Sequence, residues 1–262
     1  LPFGRDIVAP RAVATELRKR GGSKRAGSQD EILMSQLREK PRILVELLRT
    51  RRGRDWIRRS ARKRFNSTTV SIGIRDDLSV PFAAPPAKIP LVVRKLQPGD
   101  DLSLVDDVPG LTPEKARHRA DQRWLLNSDL PPPWVAVDPD GAVCFIAYMF
   151  TSEDNDRMQA LWGPLAPKVH PDEVLIEGIF TSDAHRGLGV FMDAGTKMLD
   201  QARALGKRYA IGVAGEMNLG TFKVAERAGW KRQFKRVERW FLFRQRVTFE
   251  PLEGTTDFRS YG

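Results

Sequence analysis

Apolar positions along this chain change their spacing more than once, and each change predicts a different element. In the first quarter Ile32, Leu33 and Leu37, then Ile43, Leu44, Leu47 and Leu48, recur every three or four residues. That is the spacing of an amphipathic helix. Ser28 and Glu31 form a candidate capping box, and Pro41 divides the stretch into two helices. Trp56 and Ile57 extend the apolar face into a third short helix, while residues 21–28 read as a flexible joint. Residues 1–66 are therefore expected as a largely helical arm. Thr68 to Ile74 then alternate with β-branched side chains, and Pro81, Pro85, Pro86 and Pro90 oppose regular structure, so 67–90 is expected as a linker holding at most one strand.

From Leu91 the pattern is that of an α/β body. Residues 91–96 predict a strand, and Thr112-Pro113-Glu114 opens a helix to about Asn127, with proline at its first position. Residues 134–137 and 142–150 flank Asp138-Pro139-Asp140-Gly141, whose turn chemistry predicts a hairpin. A strand over 174–180 runs through a glycine-rich turn into a helix from about Val190 to Leu205, ended by Gly206. A strand over 208–213, a helix over 218–228 and a last strand over 240–247 complete the body, leaving 250–262 as a tail.

Composition narrows the classes. With 41% hydrophobic and 29% charged residues, the chain can bury a core. Its longest apolar run, residues 142–150, suits a buried strand and falls far short of the ~20 residues that span a bilayer, so no membrane partner is expected. One cysteine, Cys144, excludes an intrachain disulfide, and three scattered histidines argue against a metal centre. The arginine-rich start has no apolar signal core, which points to a cytoplasmic or other intracellular location. Leu1 in place of methionine is read as the result of processing or of trimming, and a partly removed organelle targeting segment stays open.

The net charge of +11 is uneven. Residues 1–66 hold 19 Lys+Arg against 7 Asp+Glu, whereas 67–262 hold 25 against 26. Arginine forks suit phosphate oxygens, so the arm is expected to meet nucleic acid, another polyanion or an acidic protein, and a solvated helix face is the plainer alternative. Lys231, Arg232, Lys235, Arg236 and Arg239 form a second basic cluster, explained equally by a solvated strand face.

The informative segment is the turn Arg186-Gly187-Leu188-Gly189 between strand and helix. Unpaired N–H groups at a helix start hold phosphate, and glycines allow close approach. A dinucleotide fingerprint fails because Met192 stands where the third glycine would be, and no Gly-Lys-Ser/Thr follows to make a P-loop.

Residues 186–191 match Arg/Gln-x-x-Gly-x-Gly/Ala except that Phe191 fills the last, small position. The run Asn218 to Trp230 matches Asn-x-x-Ala-x-x-Leu-Tyr-Glu-Lys-x-Gly-Phe in spacing. On these two motifs the body, about residues 91–249, resembles the GNAT N-acetyltransferase superfamily. The resemblance implies a mixed, mostly antiparallel central sheet flanked by helices, preceded here by the basic helical arm. It implies acetyl-CoA as co-substrate, its pyrophosphate at Arg186, Gly187, Leu188, Gly189 and Val190, its pantetheine along Ile179, Phe180 and Thr181, and help from Asn218. The implied reaction is direct attack of a primary amine on the thioester. Glu177 is the candidate base and Glu173 the runner-up, with a strand carboxylate satisfied by an arginine as the plain alternative. Ala225 stands where the family often has a tyrosine acid; Tyr148, Tyr209 or proximity with water remain open for that role. Ala225, Phe191 and the basic arm leave a second expectation: a weak or inactive fold member serving as a structural subunit of a nucleoprotein or virion-like assembly, as an oligomer or part of a larger complex.

Overall fold

The computed structural model of the protein describes residues 51–80 and 82–262. The helices expected over residues 32–48, the capping box at Ser28 and Glu31, the joint at 21–28 and Pro81 lie outside the described residues.

Among the described residues eight strands form one sheet. In chain order the elements are α1 (Arg51–Phe65), β1 (Asn66–Asp77), β2 (Val92–Lys95), α2 (Pro113–Leu126), β3 (Trp134–Val137), β4 (Val143–Phe150), α3 (Asn155–Trp162), β5 (Glu173–Thr181), α4 (Val190–Ala204), β6 (Tyr209–Gly215), α5 (Leu219–Arg227), β7 (Lys231–Phe241) and β8 (Arg244–Pro251). The spatial order is β2-β3-β4-β5-β6-β1-β7-β8. Every neighbouring pair is antiparallel except β5 with β6, which is parallel. This is the mixed, mostly antiparallel sheet that the resemblance implied.

The main departure concerns residues 67–90. The β-branched stretch is not a linker: β1 lies inside the sheet, paired with β6 on one edge and β7 on the other. Its alternation explains why. Ile72 and Ile74 pack with Ala214 and Phe222 on one face, while Gly73, on the other, lies under the Phe234 ring. Pro85, Pro86 and Pro90 fall after the strand, in a strap over residues 82–91 whose Ala87, Ile89 and Leu91 pack onto the core beside α4.

Two apolar layers sandwich the sheet. One contains Tyr148, Phe150, Leu175, Ile211, Phe234 and Tyr261. The other places Val174, Ile176 and Phe145 against Val190, Ala194 and Met198 of α4. The expected tail 250–262 is part of the first layer, since Tyr261 is 1% exposed.

The expected last strand over 240–247 is instead a hairpin. Leu242 and Phe243 make its two-residue turn, both left-handed, with φ of 47° and 64°. A turn of this kind normally takes Asn-Gly, and each bulky L-residue there costs about 1–2 kcal/mol. The apolar run Trp240–Phe243 reads as strand because its turn lacks turn residues.

Candidate active site

The site begins where two parallel strands part. Glu173, Val174 and Leu175 of β5 pair with Tyr209, Ala210 and Ile211 of β6, and no later residue of either strand continues the ladder. On its other edge β5 stays with β4 through a bulge: Ile146 faces Phe180, but Tyr148 faces Glu177. Gly178 sits in the bulge with φ +63°. A Cβ there would come within 2.9 Å of Tyr148 Cδ2, so glycine is required for space as well as conformation. Gln122 of α2 donates from Nε2 to the Gly178 carbonyl at 3.1 Å and holds the bulge. Bulges bend strands, and this one turns the far half of β5 away from β6.

At the mouth of the split lies the glycine turn. Gly187 and Gly189 adopt φ of 78° and 81°, and α4 starts at Val190. The N–H groups of Gly187, Gly189, Val190 and Phe191 have no backbone acceptor among the described residues. They form a concentration of donors at a positive helix end. The strap braces this turn from outside: Lys88 N–H donates to the Leu188 carbonyl at 2.8 Å, and Ala87 N–H to Asp193 Oδ2 at 3.3 Å. His185 Nε2 lies 3.1 Å from Asp138 Oδ2, which ties the turn to the β3–β4 hairpin. The Arg186 guanidinium is more than half exposed and pairs with Asp183 at 3.2 Å.

Together these elements enclose a cleft of about 650 Å³ that runs between β5 and β6 to the start of α4 and the side of α5. Of the expected residues, Ile179, Thr181, Arg186, Gly187, Gly189 and Val190 line it, as do Glu177 and Asn218. Phe180 turns the other way, its ring edge-on to His118 at 5.0 Å, and Leu188 packs into the α4 layer. Asn218 caps α5, its Oδ1 accepting from Thr221 N–H at 3.3 Å. Ala225 lines the cleft without a polar atom.

Glu177 is buried on β5, and burial pushes its carboxyl up to about 7. The Arg236 charge opposes that rise. Arg236, itself buried on β7, donates to the Leu165 carbonyl at 2.8 Å. A carboxyl poised near neutrality inside a cleft can take and return a proton.

The structure does not bring Glu173 to this cleft. Its Oε1 accepts from the Tyr261 hydroxyl at 3.2 Å and from Arg259 Nη1 at 3.3 Å, at the closed end of the β5–β6 pair. Tyr209 lies beneath the guanidinium groups of Arg75 and Arg259 at 4.6 and 4.7 Å, also at that end. Tyr148 stacks on Phe150 at 5.6 Å, with burial raising its hydroxyl above the ordinary range.

Several lining residues carry no sequence signal. Phe82 comes from the strap, Asp76 from β1 and His118 from α2. Burial raises the Asp76 carboxyl and lowers His118 to about 4, so the imidazole is neutral at physiological pH. The β-branched alternation of β1 was legible, but not which strands would flank it.

Comparison with protein-family profiles gives no match, and comparison with curated protein sequences gives none. Several solved structures are similar. One is a GCN5-related glucosamine N-acetyltransferase region of a fungal multi-domain GH3 β-N-acetylglucosaminidase, at 12% identity and a TM-score of 0.46, covering 78% of this chain and 23% of that one. Another is a GCN5-related N-acetyltransferase from Sphaerobacter thermophilus, at 15% identity and TM-score 0.41, covering 78% and 58%. A GNAT family acetyltransferase from Brucella melitensis, in complex with acetyl-CoA, is 15% identical with TM-score 0.34, covering 66% and 93%. The chain thus spans less than two thirds of the first two.

Proposed function

We propose that the cleft binds acetyl-CoA and that the protein transfers its acetyl group to a primary amine. The observation that carries this reading is the parting of β5 and β6 beside a turn of unpaired N–H groups. The unpaired edge of β5 at Ile179 and Thr181 suits the amides of a pantetheine arm, which would bond there as an added strand does. The donors from Gly187 to Phe191 suit a pyrophosphate, and an anion there needs no side-chain charge. When bound, acetyl-CoA supplies a thioester carbonyl as electrophile. The amine nitrogen forms a bond to that carbon, the carbon–sulfur bond breaks, and Glu177 takes the amine proton. One proton is then due to the departing sulfur, so the products are the amide and the free thiol. Glu177 can return that proton because its carboxyl is held near 7.

Titration calorimetry of acetyl-CoA into the full chain, beside Gly189→Asp, tests the site. Micromolar binding that weakens at least tenfold in the variant supports it. Absence of binding by folded wild-type protein overturns it.

The basic segment, residues 1–66, is proposed to dock this domain on a polyanion or a larger assembly; the acceptor amine would then be found there. One observation favours a second reading. Ala225 places a methyl group over the cleft at the position where the resemblance calls for a tyrosine, which suits a domain that binds the coenzyme and works as a scaffold. Coenzyme binding without turnover on any amine would select it over catalysis.

A further inference from the structure

The β7–β8 hairpin ends in an exposed apolar tip. Its turn residues Leu242 and Phe243 are 52% and 58% exposed, and neighbouring Phe241 and Phe65 are 64% and 53% exposed. Two bulky residues at left-handed φ are the wrong choice for folding, since Asn-Gly fits the same turn without strain. Strain retained at an exposed site points to use of the side chains themselves.

The tip is fixed to the basic helix. Leu242 N–H donates to the Phe65 carbonyl and Phe243 N–H to the Arg64 carbonyl, both at 2.8 Å, where α1 ends. The Phe65 and Phe243 rings meet edge to face at 6.4 Å. Exposed arginines lie on both elements: Arg58, Arg59 and Arg62 on α1, whose last turn ends beside the tip, and Arg239, Arg244 and Arg246 on the hairpin, within three residues of its turn. The Arg64 guanidinium lies over Trp240 at 5.4 Å.

Exposed arginines on both elements call for an anionic partner, and the shape of the tip selects among anions. Single-stranded nucleic acid stacks on open aromatic faces along a groove. Here the Phe65 and Phe243 rings meet edge to face, and an aliphatic side chain stands in the turn of the hairpin. That form suits a bilayer surface: apolar side chains enter the boundary between headgroups and acyl chains while arginines bond lipid phosphates. No helix among the described residues is long and apolar enough to cross a membrane, so contact would be peripheral.

We propose that the hairpin tip at Leu242 and Phe243, with the arginines of α1 and the hairpin, docks the protein on an anionic lipid bilayer. This does not rest on the transferase reading; it names a lipid surface as the polyanion for the α1 part of the basic segment, and so departs from the expectation of no membrane partner.

The test is co-sedimentation of the full chain with vesicles of phosphatidylcholine, with and without phosphatidylserine. The informative variant is Leu242→Asn with Phe243→Gly, which keeps the turn and removes the strain. Its thermal midpoint is expected to equal or exceed that of wild type, so lost binding is not lost folding. Its partition onto phosphatidylserine vesicles is expected to fall at least tenfold. Arg58→Gln, Arg62→Gln and Arg244→Gln together are expected to abolish the preference for phosphatidylserine. Wild-type binding that the turn variant leaves unchanged overturns the proposal, as does equal wild-type binding to both vesicles. Tip-dependent binding of a single-stranded oligonucleotide, or tip-dependent self-association, with no vesicle binding would also overturn it.

Discussion

Tyr261 donates its hydroxyl to Glu173 at 3.2 Å across a separation of 88 residues. Its ring also tilts against Phe234 at 4.4 Å, and Arg259 reaches both Asp172 and Glu173. The final residues therefore close β5 at the end opposite the cleft. Tyr261→Phe leaves a buried carboxylate short of one donor and should destabilise by about 1–3 kcal/mol. Tyr261→Ala also removes the ring and should cost about 3–5 kcal/mol. Urea unfolding measures both. Acetyl-CoA affinity, measured where the variants are folded, should stay at the wild-type value, because this contact lies outside the cleft.

The Glu177 carboxyl should write a pH dependence into both activity and stability. In an unfolded chain it ionises near its ordinary value of 4.5, and in the fold at about 7. The native state therefore holds the proton more tightly. The contribution is fully present below pH 4.5 and is lost as pH rises through 7, to a total on the order of 3 kcal/mol. Glu177→Gln removes this dependence, so the variant should gain stability relative to wild type across that window. As base, Glu177 must be ionised, so wild-type turnover should rise with a midpoint near pH 7. Glu177→Gln should lower turnover by about 10²–10⁴-fold and flatten that limb. A variant with wild-type turnover at pH 8 would remove Glu177 from the chemistry.

These residues show what local pattern can and cannot reveal. The turn at Gly187 and Gly189 was legible because two glycines mark a tight strand-to-helix junction, although as a site it rested on the second motif at Asn218, and the hairpin at Asp138 was legible from its turn chemistry. The place of β1 was not, because pairing with β6 and β7 joins residues far apart in sequence and alternation names no neighbour. Glu173 and Glu177 illustrate the same limit on one strand. Both are buried carboxylates of β5, and only the remote Tyr261 and Arg259 separate a tail anchor from a cleft residue. The run Trp240–Phe243 misled because its turn uses apolar residues.

Gly73 is where a single methyl group should be felt most. A Cβ at this position would come within 2.2–2.3 Å of three atoms of the Phe234 ring, which is wholly buried. Gly73→Ala should therefore destabilise by about 1–3 kcal/mol or more through overpacking. Phe234→Ala removes the obstacle, so Gly73→Ala added to it should cost under about 1 kcal/mol, a coupling that double-mutant unfolding measures. Additive losses would mean that the ring does not set the requirement for glycine.

Gly187 and Gly189 offer a comparison within one turn. Both are left-handed, so alanine at either adds strain of about 1–2 kcal/mol. Their surroundings differ. A Cβ at Gly187 meets nothing within 4 Å, whereas at Gly189 it lies 3.3 Å from Ala87 Cα in the strap. Gly187→Ala should thus cost strain alone and leave the strap in place. Gly189→Ala should also push Ala87 away and weaken the bonds from Lys88 N–H to Leu188 and from Ala87 N–H to Asp193. Amide hydrogen exchange at Ala87 and Lys88 should accelerate in Gly189→Ala and stay at the wild-type rate in Gly187→Ala. Since the strap braces the turn whose N–H groups are proposed to hold pyrophosphate, acetyl-CoA affinity should fall further in Gly189→Ala. Equal exchange and equal affinity in the two variants would show that the strap merely covers the turn and does not shape it.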